Sequence, residues 1–221
     1  TGAVWIEFDG VYMNSDVWLN GVHLGRRPYG YSSFAYDITR HLKSGDNVVA
    51  VRVDNSAEPN SRWYTGSGIY RHVWLRTMAP LHLGHWGTYI TTPRADSAAA
   101  EIVVRSRLEN DGTVPRRGVL RPLAIDAAGG LRTRAEVPFS IGPGERLELE
   151  QRLTLPAPRL WSVETPHLYT LRSEIADGTA RDVTHDVAET PFGIRSIAYD
   201  KDRGFLLNGP RVKMPGVTLH P

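Results

Sequence analysis

The sequence has no cysteine, which removes disulfide frameworks and thiolate zinc sites from consideration. It also lacks any apolar run close to the roughly 20 residues that a helix needs to cross a bilayer. The first residues, Thr1-Gly2-Ala3-Val4-Trp5-Ile6, show neither the basic head nor the cleavage segment of a secretory leader. Charge of one sign is scarce too: 26 Lys and Arg stand against 24 Asp and Glu, a formal net charge of +2. No block of like charges occurs, so neither a nucleic-acid nor a membrane partner is expected. Helical periodicity is missing throughout. The histidines fall into no HExxH or similar metal-ligand spacing, and Gly66-Ser67-Gly68 lacks the lysine and following helix of a phosphate loop.

What the sequence does contain is alternation. Residues 147–155 (LELEQRLTL) put Leu147, Leu149, Leu153 and Leu155 on one face and Glu148, Glu150, Arg152 and Thr154 on the other. A strand with one face on a core and one in water reads this way. The same period of two runs through Val4/Ile6/Phe8, Val49/Val51/Val53, Val73/Leu75, Ile102/Val104 and Tyr169/Leu171/Ile175. Turn pairs punctuate the strands: Asn20-Gly21, Gly45-Asp46, Asp111-Gly112, Gly129-Gly130, Asp177-Gly178 and Asn208-Gly209. Asn20-Gly21 is predicted to be a type I′ hairpin turn, and Asp37 or Thr39 to cap a short turn before His41. Short strands at this spacing predict an all-β protein, a sandwich or a barrel rather than a βαβ protein. Shifts in pattern divide the chain into residues 1–80, 81–190 and 191–221.

Three segments carry a resemblance. VWIEFDGVYMNSDVWLNGVHLGRRPYGYSSFAYDITRHLKSGDNVVAVRVDN, continuing to RWYTGSGIYRHVWL (62–75), resembles the later half of the N-terminal sugar-binding jelly-roll of glycoside hydrolase family 2. LWSVETPHLYTL (160–171) is similar to the signature of that family's immunoglobulin-like domain, with Val163 where the family usually has proline. FGIRSIAYDKDRGFLLNGPRVKMPGVTLHP (192–221) resembles the linker and first strand of the family's (β/α)8 catalytic barrel. The first segment is most similar to β-galactosidases, while β-glucuronidases and β-mannosidases share the architecture. The resemblance implies a partial jelly-roll, an immunoglobulin-like sandwich and a stub of barrel strand. The leading half of the jelly-roll is absent, so the first sandwich is expected to expose a strand edge.

The resemblance also implies a role without catalysis. Retaining glycosidases flank the scissile bond with two carboxyl groups about 5–5.5 Å apart, which in this family are barrel glutamates. No position here matches either motif, and the acidic residues read as solvated strand faces or turns. The expectation is therefore no catalytic residue and no metal site in this chain. Any Mg2+ or Na+ of the parent enzyme would bind barrel residues.

For substrate contact the resemblance points to His220, at the end of the strand-like VKMPGVTLH, where barrel enzymes place functional groups. After His220 it points to Arg62, Trp63 and Tyr64 in the polar loop 54–68, with Asn60 and Ser61 beside them. Aromatic rings stack on the apolar faces of sugars, and Arg donates a fork of hydrogen bonds to hydroxyls. The other reading of Trp63 and Tyr64 is that they anchor the loop on a neighbouring domain. Trp5, Trp18, Trp74, Trp86 and Trp161 read as packing or interdomain residues. The implied partners are a β-galactoside in the parent and the parent's own barrel, with homo-oligomers allowed. The competing classes are a stand-alone carbohydrate-binding module and a structural interaction domain.

Overall fold

The computed structural model describes residues 2–57, 65–177 and 184–216. Asn60, Ser61, Arg62, Trp63, Tyr64 and His220 lie outside the described residues. Nearly every described element is a strand, and the contacts divide the chain after Met78 into two units.

The first unit contains β1 (Val4–Phe8), β2 (Val11–Tyr12), β3 (Ser15–Leu19), β4 (Val22–Arg27), β5 (Phe34–Asp37), a 3-10 turn at Thr39–His41, β6 (Val49–Arg52), β7 (Gly68–Ile69) and β8 (Val73–Thr77). They make two antiparallel three-stranded sheets, β5-β1-β8 and β4-β3-β6, and a small β2-β7 ribbon. Ile6, Phe8, Val11, Val17, Leu19, Phe34 and Ile38 close the core between the sheets. The rings of Phe8 and Phe34 stack there, with centroids 5.1 Å apart.

Asn20 and Gly21 take φ of 52° and 86°, the double positive φ of a type I′ turn. The Asn20 side chain also works outward: its Nδ2 donates to the His41 carbonyl, and its Oδ1 accepts from the Val48 amide. The turn near residue 39 is held by Asp37, whose carboxylate accepts both the Thr39 amide at 2.9 Å and the Thr39 hydroxyl at 2.6 Å. Both β6 and β8 are sheet-end strands with exposed apolar side chains, notably Val49, Val73, Trp74 and Leu75. Glu7, buried on β1, is neutralised by Arg76 on β8.

The second unit begins with β9 (Leu81–Ala95), β10 (Ala99–Asn110), β11 (Arg116–Ile125), β12 (Leu131–Arg134), β13 (Val137–Ile141) and β14 (Arg146–Pro156). It continues with β15 (Tyr169–Asp177), β16 (Thr184–Phe192) and a hairpin of β17 (Ile197–Asp200) and β18 (Gly204–Leu207). One sheet is β14-β10-β9; the other is β12-β11-β15-β16, with β13 also on β11. Side chains of both sheets meet in two clusters. Ile102, Val104, Leu153 and Leu155 face Ala124, Tyr169, Leu171 and Phe192 in one, and Leu83 and Leu108 face Leu120, Ile141 and Ile175 in the other. This is a sandwich, and the predicted leucine face of 147–155 points into it.

The linker after β16 is pinned to the LWSVETPHLYTL segment. The Trp161 amide donates to the Ile194 carbonyl at 2.8 Å, and the Trp161 carbonyl accepts from Asn208 Nδ2 at 2.9 Å. The Arg195 guanidinium lies 5.0 Å over the Trp161 ring. Tyr169, fully buried, accepts the Arg159 amide on its hydroxyl at 2.8 Å. These contacts give Trp161 the packing role expected of it. Trp86 differs: it is 63% exposed, on a bulge in which residues 84–87 stand opposite Arg107 alone. The bulge also separates the surroundings of His82 and His85. His82 is buried and bonded to the Ala79 carbonyl, whereas His85 falls inside the bulge.

Asn110 is fully buried at the end of β10. Its Nδ2 donates to the carbonyls of Val114 and Gly142, each at 2.9 Å, and its Oδ1 accepts the Gly112 amide at 3.1 Å. Asn110→Ala is expected to cost about 1–3 kcal/mol by orphaning these groups. Asn110→Asp is expected to cost more, since a carboxylate there faces two carbonyl oxygens. Urea denaturation of the two variants checks both the size and the order.

Three aspartates hold turns. The Ser56 hydroxyl, then its amide, draws Asp54 below its ordinary pKa of 3.8; the amides of Ala99 and Ala98 do this for Asp96, and those of Arg203 and Asp202 for Asp200. A depressed folded-state pKa gives stability that is present above the unfolded value and lost as pH falls through the folded one. Their contribution is therefore expected to hold down to about pH 4 and to fade below it. Asp96→Asn should flatten part of that acid decline in urea midpoints measured against pH.

Candidate functional site

The chain is described up to Ala57 and again from Thr65, on either side of the residues singled out for sugar contact in the loop 54–68. Asn55 Nδ2 donates to Ser67 Oγ at 2.9 Å, tying one flank to the other. The Asp54 amide donates to the Met13 carbonyl and the Asp54 carbonyl accepts Asn14 Nδ2, each at 3.1 Å. The returning chain forms β7, which pairs Val11 with Ile69 and Tyr12 with Gly68. Both flanks are thereby fixed to the β2 region.

Beside these flanks the fold gathers four tyrosines that sequence reasoning did not single out. Tyr12 follows from β2, Tyr29 and Tyr31 from the β4–β5 connection, and Tyr70 from the residue after β7. The Tyr31 ring lies 5.2 Å from that of Tyr12, 5.8 Å from Tyr29 and 6.4 Å from Tyr70, all in tilted or edge-on contacts. Such arrangements suit the ring quadrupoles. Tyr12 is buried beneath the group, while Tyr29, Tyr31 and Tyr70 are 60%, 54% and 45% exposed.

Two glycines make the arrangement possible. A Cβ on Gly30 would stand 2.3 Å from the Tyr12 ring, and one on Gly10 would stand 2.6 Å from Tyr70. The Tyr70 hydroxyl donates to the Gly30 carbonyl at 2.8 Å, so the two close approaches are linked. Partial desolvation raises the pKa of the Tyr31 phenol, helped by the neighbouring Tyr12, which also hydrogen-bonds to it. At neutral pH the phenol is protonated and remains a donor.

Around the cluster, the Arg71 guanidinium sits 5.7 Å from the Tyr70 ring centroid. Asp9 accepts Trp74 Nε1 at 2.9 Å and lies 3.7 Å from His72. The local signal that could have exposed the site was Pro28-Tyr29-Gly30-Tyr31, two aromatics about a glycine; Tyr12 and Tyr70 carried none.

The buried carboxylates elsewhere are engaged in ion pairs. Glu7 pairs with Arg76, and Glu109 with Arg107 at 2.8 Å and Arg146 at 3.4 Å. Among the described residues no group of three or more His, Asp or Glu is placed to hold a metal ion, and no helix is long and apolar enough to cross a membrane.

Comparison with known proteins agrees over the whole chain. Residues 1–79 match the model for the glycosyl hydrolases family 2 sugar binding domain, and residues 85–195 match that for glycosyl hydrolases family 2. The chain is 44% identical over 216 residues to the β-galactosidase BoGH2A of Bacteroides ovatus, covering 97% of this chain and 25% of that protein. It is 39% identical over 220 residues to a putative β-glucuronidase of Formosa agariphila, covering 99% of this chain and 20% of that one. Among solved structures, a glycosyl hydrolase family 2 member from Bacteroides cellulosilyticus superposes with a TM-score of 0.89 at 39% identity, over 94% of this chain and 28% of that one. A family 2 β-glucuronidase gives 0.90 at 30% identity, over 96% and 24%. The chain thus spans about a quarter of the length of the curated relatives it matches. With both sandwiches matched in order, the chain belongs to glycosyl hydrolases family 2.

Proposed function

We propose that this chain is the non-catalytic β-sandwich region of a retaining glycoside hydrolase that removes terminal β-D-galactosides. The observation that carries the substrate choice is the 44% identity to a β-galactosidase across 97% of the chain, above the 39% to a putative β-glucuronidase. On this reading two glutamates of a barrel following residue 221 perform the chemistry, one as nucleophile and one as acid/base. The two sandwiches support that barrel, and residues 60–64 and His220 supply one wall of its sugar pocket. Any Mg2+ or Na+ of the enzyme is held by barrel residues. The ion-paired state of Glu7 and Glu109 supports a structural part for this chain.

A second reading, β-glucuronidase, is favoured by the Formosa agariphila relatives and by the β-glucuronidase structure. The substrates differ in charge: a glucuronide carries a carboxylate that a cation must meet, whereas a galactoside is neutral. The complete enzyme is expected to hydrolyse p-nitrophenyl β-D-galactoside with kcat/KM at least about tenfold above that for the glucuronide, a difference near 1.4 kcal/mol. The 221-residue chain is expected to hydrolyse neither. Preference for the glucuronide by the same margin would replace the galactosidase reading, and turnover by the chain alone would overturn its non-catalytic role.

A further inference from the structure

The core of the second sandwich is not apolar throughout. Its two hydrophobic clusters are separated by a polar layer to which three strands contribute. On β10, Ser106 stands between Val104 of one cluster and Leu108 of the other. On β14, Gln151 stands between Leu153 and Leu149 in the same way, and on β15, Ser173 stands between Leu171 and Ile175. A strand repeats its facing every two residues, so all three polar side chains point inward with these neighbours. Ser106, Gln151 and Ser173 are 1%, 2% and 1% exposed. The residue paired with Ser173 on β11 is Pro122, whose ring offers no hydrogen-bond partner.

The hydrogen bonding of this layer does not close on itself. Ser106 Oγ donates to Gln151 Oε1 at 3.4 Å, while Gln151 Nε2 and Ser173 Oγ are buried with no partner among the described residues. Exchanging the amide oxygen and nitrogen of Gln151 leaves an orphan acceptor in place of the orphan donor. Unpaired polar groups are costly away from water, so the layer calls for a further participant. The inward positions of residues 100–108, 147–155 and 169–175 carry no charged side chain, so nothing there would balance an ion. The participant has to be small, neutral, and both donor and acceptor.

We propose that one buried water molecule bridges Gln151 on β14 to Ser173 on β15. It accepts from Gln151 Nε2 and the Ser173 hydroxyl and donates to Ser106 Oγ, the three bonds usual for internal water. The bridge joins the two sheets of the sandwich and fixes their alignment. A slip of β14 or β15 by two residues would set its polar group at the depth of a leucine or isoleucine.

High-resolution crystallography of the complete enzyme tests the bridge. A single isolated density peak is expected within about 3.2 Å of both Gln151 Nε2 and Ser173 Oγ. Direct contact between those two atoms, with no peak between them, overturns the proposal. Contacts of about 2.3–2.6 Å from the peak to the surrounding oxygens would mark a metal cation and overturn it too. The double variant Gln151→Leu with Ser173→Ala is expected to lose the peak, and a peak that persists there is held by other groups and contradicts the bridge. If the double variant does not fold, Ser173→Ala takes its place, since it removes a single oxygen atom. Its peak is expected to weaken relative to the other internal waters of the same crystal, and unchanged density rules the bridge out.

Discussion

Each strand of this chain presents side chains alternately to two faces, and the apolar face has to be covered by something. The second unit solves this within itself. Its two sheets press Ile102, Val104, Leu153 and Leu155 onto Tyr169, Leu171 and Phe192, leaving Glu101, Arg105, Glu150 and Arg152 to pair on the outside. In the first unit the inner faces meet around Phe8 and Phe34, yet β6 and β8 keep Val49, Val73 and Leu75 in the open at the sheet ends. The same rule explains both the buried core and the exposed strands.

The most recognisable string of the second unit is a latch. Within LWSVETPHLYTL, Trp161 contributes backbone hydrogen bonds to Ile194 and Asn208 and a ring beneath Arg195, while Tyr169 closes the sandwich and accepts the Arg159 amide. Asn208 completes it by also accepting the Ser196 amide on its Oδ1. A family signature here reflects the joining of a sandwich to the hairpin that follows it. No sugar contact is needed to account for these residues.

Where structure depends on neighbours in sequence, it was legible. Leu153 and Leu155 announce their buried face by alternation, and Asn20-Gly21 announces its turn because both residues tolerate positive φ. The bulge at residues 84–87 left no periodic mark, since four residues opposite Arg107 are set by pairing with a distant strand. The tyrosine cluster was hidden for the same reason: Tyr12, Tyr31 and Tyr70 are far apart in sequence and meet only through β2–β7 pairing and the folding-in of the β4–β5 connection. The residues first singled out for sugar contact, Asn60 to Tyr64 and His220, lie outside the described residues; Asn55 and Ser67, hydrogen-bonded to each other, flank the first group in sequence.

On the function proposed above, the buried carboxylates bound to arginine, the latch and the two sandwiches belong to a framework whose chemistry is performed elsewhere in a longer hydrolase. Mechanism-based labelling tests this directly. The complete enzyme is treated with a fluorinated galactosyl fluoride that traps the covalent glycosyl-enzyme, and the labelled peptide is located by mass spectrometry. The account predicts a single labelled glutamate beyond residue 221. A label on any carboxylate within residues 1–221 would contradict it.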